Sequence, residues 1–223
     1  MELDWATVWL SFAVLGTGAA AIVASYHSKG RLAFVALKPL TTLLILIMVL
    51  ASAAGPRDTY TVLIVAGLLF SWVGDIVLML PARCFTYGIL SFSVTHVLYL
   101  SAFTLLSGVA LVHLLTPLFG LVAAALAALV WRGVSPSFRI PVVLYVALIT
   151  VMLAQAAGAA LGQAASATTL AATGAALFFV SDAALAIDRF RSRFVAAKAI
   201  VLSTYWLGQW LIALSARLDA PPM

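Results

Sequence analysis

Residues 60–80 read YTVLIVAGLLFSWVGDIVLML, with Asp75 the one charged residue among them. A helix rises about 1.5 Å per residue, so this stretch would be about 30 Å long, the thickness of a bilayer's hydrocarbon core. The apolar residues run on without the strict alternation of a half-buried strand, which argues for a helix. The rest of the chain has the same character. Of its 223 residues, 65% are apolar and 9% charged, and the mean hydropathy is +1.18. Soluble domains average about 25% charged residues, so a water-facing surface cannot be built from this composition. In lipid every backbone polar group must be satisfied internally, which leaves helices or closed barrels. The reading is an all-α integral membrane protein.

Eight transmembrane spans are expected, roughly 5–26, 32–54, 60–80, 85–106, 109–131, 139–161, 167–187 and 194–215, forming a single transmembrane domain. The breaks between them are chemical: His27-Ser28-Lys29-Gly30-Arg31, Gly55-Pro56-Arg57-Asp58, Pro81-Ala82-Arg83, Arg132-Gly133-Val134-Ser135-Pro136 and Asp188 to Arg193. Ser107-Gly108 and the small, polar stretch Gly162 to Ser166 are weaker breaks, and loss of the first would fuse spans four and five. Glu2 and Asp4 precede the first span, where a cleaved signal would carry basic residues, so that span is read as part of the mature chain.

With eight spans, four loops share one side and hold Lys29, Arg31, Arg83, Arg132, Arg139, Arg189, Arg191 and Arg193, while the other side holds Arg57 and Arg217. By the positive-inside rule the first side is cytoplasmic and both termini lie outside the cytoplasm, in an inner or plasma membrane. This asymmetry accounts for most of the net charge of +5 without invoking nucleic acid. The single cysteine, Cys84, excludes an internal disulfide and offers no metal-ligand spacing, so no metal or other cofactor is expected. A faint internal repeat lays Ala66–Asp75 over Thr173–Asp182, each with a glycine eight residues before its aspartate. Span three would then correspond to span seven, in two parallel four-helix units.

Ionisable residues within spans are costly, by roughly 2.5 kcal/mol or more at a helix centre, and they mark function by default. Four stand out: Lys38, Asp75, His96 and Asp182, with Lys198 shallow enough to snorkel. The two aspartates and Lys38 are expected about five residues, roughly 8 Å, from the cytoplasmic ends of their spans, and His96 near the midplane. Either aspartate alone is explicable as an interhelical hydrogen-bonding device, Lys38 as a counter-ion and His96 as a satisfied packing residue. Along span four, Phe85, Gly88, Phe92, His96 and Tyr99 share one helix face. Tyr145, Tyr205 and Gln209 bring further polar tips into spans six and eight, while Gly158 and Gly162 read as a packing pair.

Taken in order, Lys38-Pro39, Gly74-Asp75, the span-four face, Tyr145 and Met152, Gly174 with Phe178, Ser181-Asp182, Arg189-Phe190, and Tyr205 with Gln209 resemble the YhhN-like lysoplasmalogenase family of small membrane hydrolases. The resemblance runs from about span two to span eight. It implies hydrolysis of the vinyl ether of a lysoplasmalogen, a lysophospholipid drawn from the membrane, to a fatty aldehyde and a glycerophospho-base.

Such a reaction protonates the outer alkene carbon, delivers water to the resulting oxocarbenium-like cation, and lets the hemiacetal collapse. Two carboxylates in different environments can act as acid, base and cation stabiliser, as in glycoside hydrolysis. The expectation is that Asp75 and Asp182 form this catalytic pair, in an order the residues leave open. Lys38 would hold one of them ionised, and His96, Tyr99, Tyr145, Tyr205 and Gln209 would line the substrate pocket. The competing reading is a proton-coupled transporter using the same carboxylates; against it, the spans carrying Asp75 and Asp182 contain no proline that would interrupt them.

Overall fold

The computed structural model describes residues 4–51, 58–107, 112–163 and 165–217. Eight α-helices occupy them: α1 Trp5–Tyr26, α2 Arg31–Ala51, α3 Thr59–Leu78, α4 Phe85–Ser107, α5 Val112–Val130, α6 Arg139–Gly162, α7 Ser166–Phe190 and α8 Ala197–Ser215. Gly55-Pro56-Arg57 and Gly108 fall outside the described residues, as do the last residues of the second expected span and the first of the fifth. Six helices, α1 to α4, α6 and α7, are long and apolar enough to cross a membrane. Helices α5 and α8 have 19 residues each, about 28 Å of rise.

Helix α7 continues past residue 187 because Asp188, Arg189 and Phe190 do not break a helix; Arg191 N–H still donates to Ile187 O. Asp182 therefore lies eight residues before its helix ends, about 12 Å of rise, whereas Asp75 lies three before the end of α3. The expectation of equal distance from the two helix ends does not hold. Two polar caps mark the first and third helices, with Asp4 and Asp58 accepting from the amides of Thr7 and Thr61. The Thr7 hydroxyl also donates to Asp4, and Arg217 pairs with it from beyond the end of α8. The Thr7 hydrogen bonds, with lesser help from Arg217, hold the Asp4 carboxyl below the usual carboxylate range.

Burial is distributed as lipid demands. Trp5, Trp9, Leu32, Ile140, Leu161 and Val195 are among the most exposed large side chains. Polar groups turn inward: Thr42, Ser71, Asp75, Thr95, His96, Ser181 and Gln209 are all buried, and hydrogen bonds between helices join several of them. Without water outside the bundle, polar side chains find partners only within it.

The most extensive helix pairings are α7 with α8 and α3 with α4. Both rest on glycine. A Cβ at Gly174 would lie 2.7 Å from the carbonyl oxygen of Gly208, and one at Gly74 would lie 2.7 Å from the Phe92 ring. Pairings recur at an offset of four helices: α1–α2 as α5–α6, α2–α3 as α6–α7, α3–α4 as α7–α8, and α2–α8 as α6–α4. Asp75 on α3 and Asp182 on α7 thereby occupy corresponding places in the bundle.

Candidate active site

Each aspartate is met by a residue 37 positions earlier in the chain, one helix back. On α2, Lys38 Nζ lies 3.2 Å from Asp75 Oδ1. On α6, the Tyr145 hydroxyl donates to Asp182 Oδ2 at 2.6 Å. Each is also met by a residue from the far half of the chain. Tyr205 on α8 donates to Asp75 Oδ2 at 2.9 Å, and His96 Nε2 on α4 stands 3.6 Å from Asp182 Oδ2, beyond hydrogen-bonding reach.

Asp75 is saturated. Its Oδ2 takes a second hydrogen bond from Thr42 at 2.6 Å, and its side chain is only 2% exposed. Trp206 Nε1 donates in turn to the Thr42 hydroxyl, which fixes that donor. Thr42 follows Lys38 by four residues and so shares its helix face, a spacing that is the one sequence signal for it. Asp182 is only partly engaged. Both its contacts reach Oδ2, and its side chain retains 14% exposure. Among the described residues no lysine or arginine comes within 4 Å of it.

That exposure faces a cavity of about 140 Å³ among α2 to α8, lined by both aspartates, Lys38, Tyr145, Tyr205 and otherwise mostly apolar side chains. One water occupies roughly 10–15 Å³ by the same measure, so there is room for several waters or a short run of substrate. Arg189 and Phe190 also line it, near Phe85. Phe178, fully buried, packs against aromatic neighbours of both aspartates, its ring centroid 4.8 Å from His96, 5.5 Å from Tyr205 and 6.3 Å from Phe92.

Not every expected residue reaches the cavity. Lys38, Asp75, Tyr145, Asp182 and Tyr205 line it together. His96 is fully buried behind Asp182, its ring edge-on to Tyr145 at 5.1 Å. Tyr99 and Gln209 form a separate layer: the Tyr99 hydroxyl donates to Gln209 Oε1, Gln209 Nε2 donates to Ser71 at 2.7 Å, and Ser71 donates to Thr95. Thr95 closes the chain on the carbonyl of Gly67. Nothing in the sequence distinguishes Ser71 and Thr95, since serine and threonine recur throughout these helices. Among the described residues no three His, Cys, Asp or Glu side chains gather as a metal site would require.

Comparison with known proteins bears on this cavity. Residues 33–216, which include every side chain named in it, match the family model described as the YhhN family. Lysoplasmalogenase TMEM86A of Homo sapiens is 42% identical over 168 residues, covering 72% of this chain and 67% of that protein. The Bos taurus protein of the same name is 39% identical over 165 residues, again 72% and 67%. The membrane protein YhhN of Escherichia coli O157:H7 is 29% identical over 211 residues, 95% of this chain and 100% of that one. No solved structure matches the chain.

Proposed function

The chain belongs to the YhhN family, and on that footing we propose that it is a membrane lysoplasmalogenase with Asp182 as its proton donor and Asp75 as a fixed carboxylate. It hydrolyses the vinyl ether of a lysoplasmalogen to a fatty aldehyde and a glycerophospho-base. The observation that carries the assignment of roles is the inequality of the two carboxylates. Asp75 has a lysine at 3.2 Å and both oxygens engaged, which suits a permanent negative charge. Asp182 has no cation beside it and one oxygen without a described partner, in an apolar cavity, which suits a carboxyl that carries and releases a proton.

Asp182 gives its proton to the outer alkene carbon; the π pair forms the new C–H bond and leaves an oxocarbenium ion at the ether-bearing carbon. The negative charge now on Asp182, with Asp75 across the cavity, stabilises that cation. Water adds its oxygen lone pair to the cationic carbon and returns a proton to Asp182, which restores the acid. The hemiacetal then breaks its bond to the glycerol oxygen, which takes up the hemiacetal hydroxyl's proton, and releases the aldehyde. Tyr145 holds the Asp182 carboxyl through Oδ2, leaving Oδ1 to face the alkene. His96 packs that tyrosine from behind, and Tyr99 and Gln209 stiffen the bundle one layer deeper.

The vinyl-ether end of the lipid lies among the apolar cavity walls and the head group lies beyond Arg189 and Phe190. With the basic loops inside the cell, that end is cytoplasmic. Aldehyde release from a lysoplasmalogen by detergent-purified protein tests the reading. Wild type should release aldehyde and Asp182→Asn should release almost none while remaining folded. Full activity in Asp182→Asn removes the assignment of roles; an inactive but well-folded wild type removes the hydrolase itself.

A further inference from the structure

A second cleft opens where the end of α1 meets the end of α7 and the loop into α8. Its volume is about 830 Å³, and it is lined by Tyr26, Asp188, Arg189, Arg193, Phe194 and Lys198, with Val195 and Ala197. Three cations, one carboxylate and two aromatic rings thus share one small space. Loop topology by itself would supply the cations, but not a carboxylate and two rings placed among them. Its walls are tied down. The Tyr26 hydroxyl donates to Val195 O at 2.9 Å and accepts from the amide of Ala199 at 3.2 Å. Lys198 Nζ donates to Ser25 O at 3.0 Å and lies 5.9 Å from the Tyr26 ring centroid. Asp188 Oδ1 accepts from the amide of Phe194 at 3.2 Å.

Arg189 lines this cleft and the catalytic cavity alike. It follows Asp182 by seven residues, which places the two on one stripe of α7 about 10 Å apart along the axis. Its guanidinium rests on the Phe85 ring at 4.6 Å. In a lysolipid, six single bonds separate the vinyl ether carbon from the phosphorus, about 7 Å when extended. Side chains of ordinary length on Asp182 and Arg189 cover the remainder.

We propose that this cleft is the receptor for a zwitterionic phosphobase head group, with Arg189 and Arg193 on the phosphodiester and Asp188, Tyr26 and Phe194 around the ammonium. Guanidinium forks match phosphate oxygens, and a carboxylate beside aromatic faces suits an amine or quaternary ammonium. The site rests on the lysoplasmalogenase reading and deepens it. It makes the head group a determinant of binding, measured along α7 from the reacting carbon.

The test uses binding by the whole protein in detergent, so that it does not depend on turnover. The probes are a saturated 1-alkyl-lysophosphoethanolamine, which has no vinyl ether to cleave, and the matching 1-alkylglycerol. Arg189→Gln with Arg193→Gln should weaken the phospholipid about tenfold or more, as loss of charge-assisted bonds does, and change the alkylglycerol by less than about twofold. Asp188→Asn should weaken the phosphoethanolamine lipid and spare the matching 1-alkylglycerol phosphate.

Equal losses on both main probes, or no loss on the phospholipid, overturn the site. Inorganic phosphate that displaces the lipid at the lipid's own concentration makes it a general anion site and overturns it too. Arginine-dependent binding without aldehyde release from a lysoplasmalogen would instead sink the hydrolase and leave the receptor standing. Aldehyde release without arginine-dependent binding would do the reverse.

Discussion

Asp75 and Asp182 occupy equivalent places in two four-helix halves, yet their surroundings differ in kind. Each receives a partner from 37 residues earlier, and that partner is an ammonium for Asp75 and a phenol for Asp182. Each receives another across the bundle, a hydrogen-bonding phenol for Asp75 and an imidazole standing off at 3.6 Å for Asp182. One scaffold position thus holds a neutralised, fully bonded carboxylate and the other an open one. In largely apolar surroundings, the number and charge of the donors around a carboxyl decide whether it is a structural anion or a proton carrier. Chemistry is expected to concentrate at the less satisfied site, and stability at the more satisfied one.

That contrast is most exposed by Asp182→Asn. The amide still accepts from Tyr145 but carries no transferable acid proton, so turnover should fall by about 10²–10⁴, the usual weight of a general acid, with little change in thermal midpoint. Asp75→Asn should act on both properties. It strands the Lys38 ammonium inside the bundle, and breaking a buried pair costs about 3–5 kcal/mol. Adding Lys38→Met should recover most of the thermal midpoint in detergent and leave turnover low. Recovery of turnover as well would mean that the Asp75 charge has no part in catalysis.

Smaller effects separate the donors. Tyr145→Phe removes the one described hydrogen bond on Asp182 and should slow aldehyde release roughly tenfold. Tyr205→Phe leaves Thr42 on the same Asp75 oxygen, and a loss of about threefold is expected. If the order of these two were reversed, the proton donor would have to be moved to Asp75. The smallest change in turnover belongs to Tyr99→Phe, one layer behind the cavity. Its rate should stay within about twofold of wild type, while the thermal midpoint drops with loss of a buried hydrogen bond worth about 1 kcal/mol.

Much of this molecule was legible from one dimension. Apolar stretches of bilayer length, punctuated by His27 to Arg31, Pro81 to Arg83 and Arg132 to Pro136, announced a helical membrane bundle, because lipid leaves the backbone no alternative. Ionisable residues were conspicuous for the same reason: Lys38, Asp75, His96 and Asp182 are too costly in apolar helices to be incidental. A correspondence of α3 with α7 was faintly legible too, through two glycines eight residues before two aspartates.

Partnership was decided only when the helices packed. No spacing along the chain says that Lys38 and Thr42 converge on Asp75 while Tyr145 takes Asp182, or that Tyr99 and Gln209 belong to a layer the cavity does not reach. Nor does it show that Arg189 joins the cavity to a second cleft. Composition and periodicity determine which residues must avoid lipid. Which of the inward-facing groups then meet depends on the rotation and separation of neighbouring helices, set by close contacts such as Gly74 on Phe92 and Gly174 on Gly208.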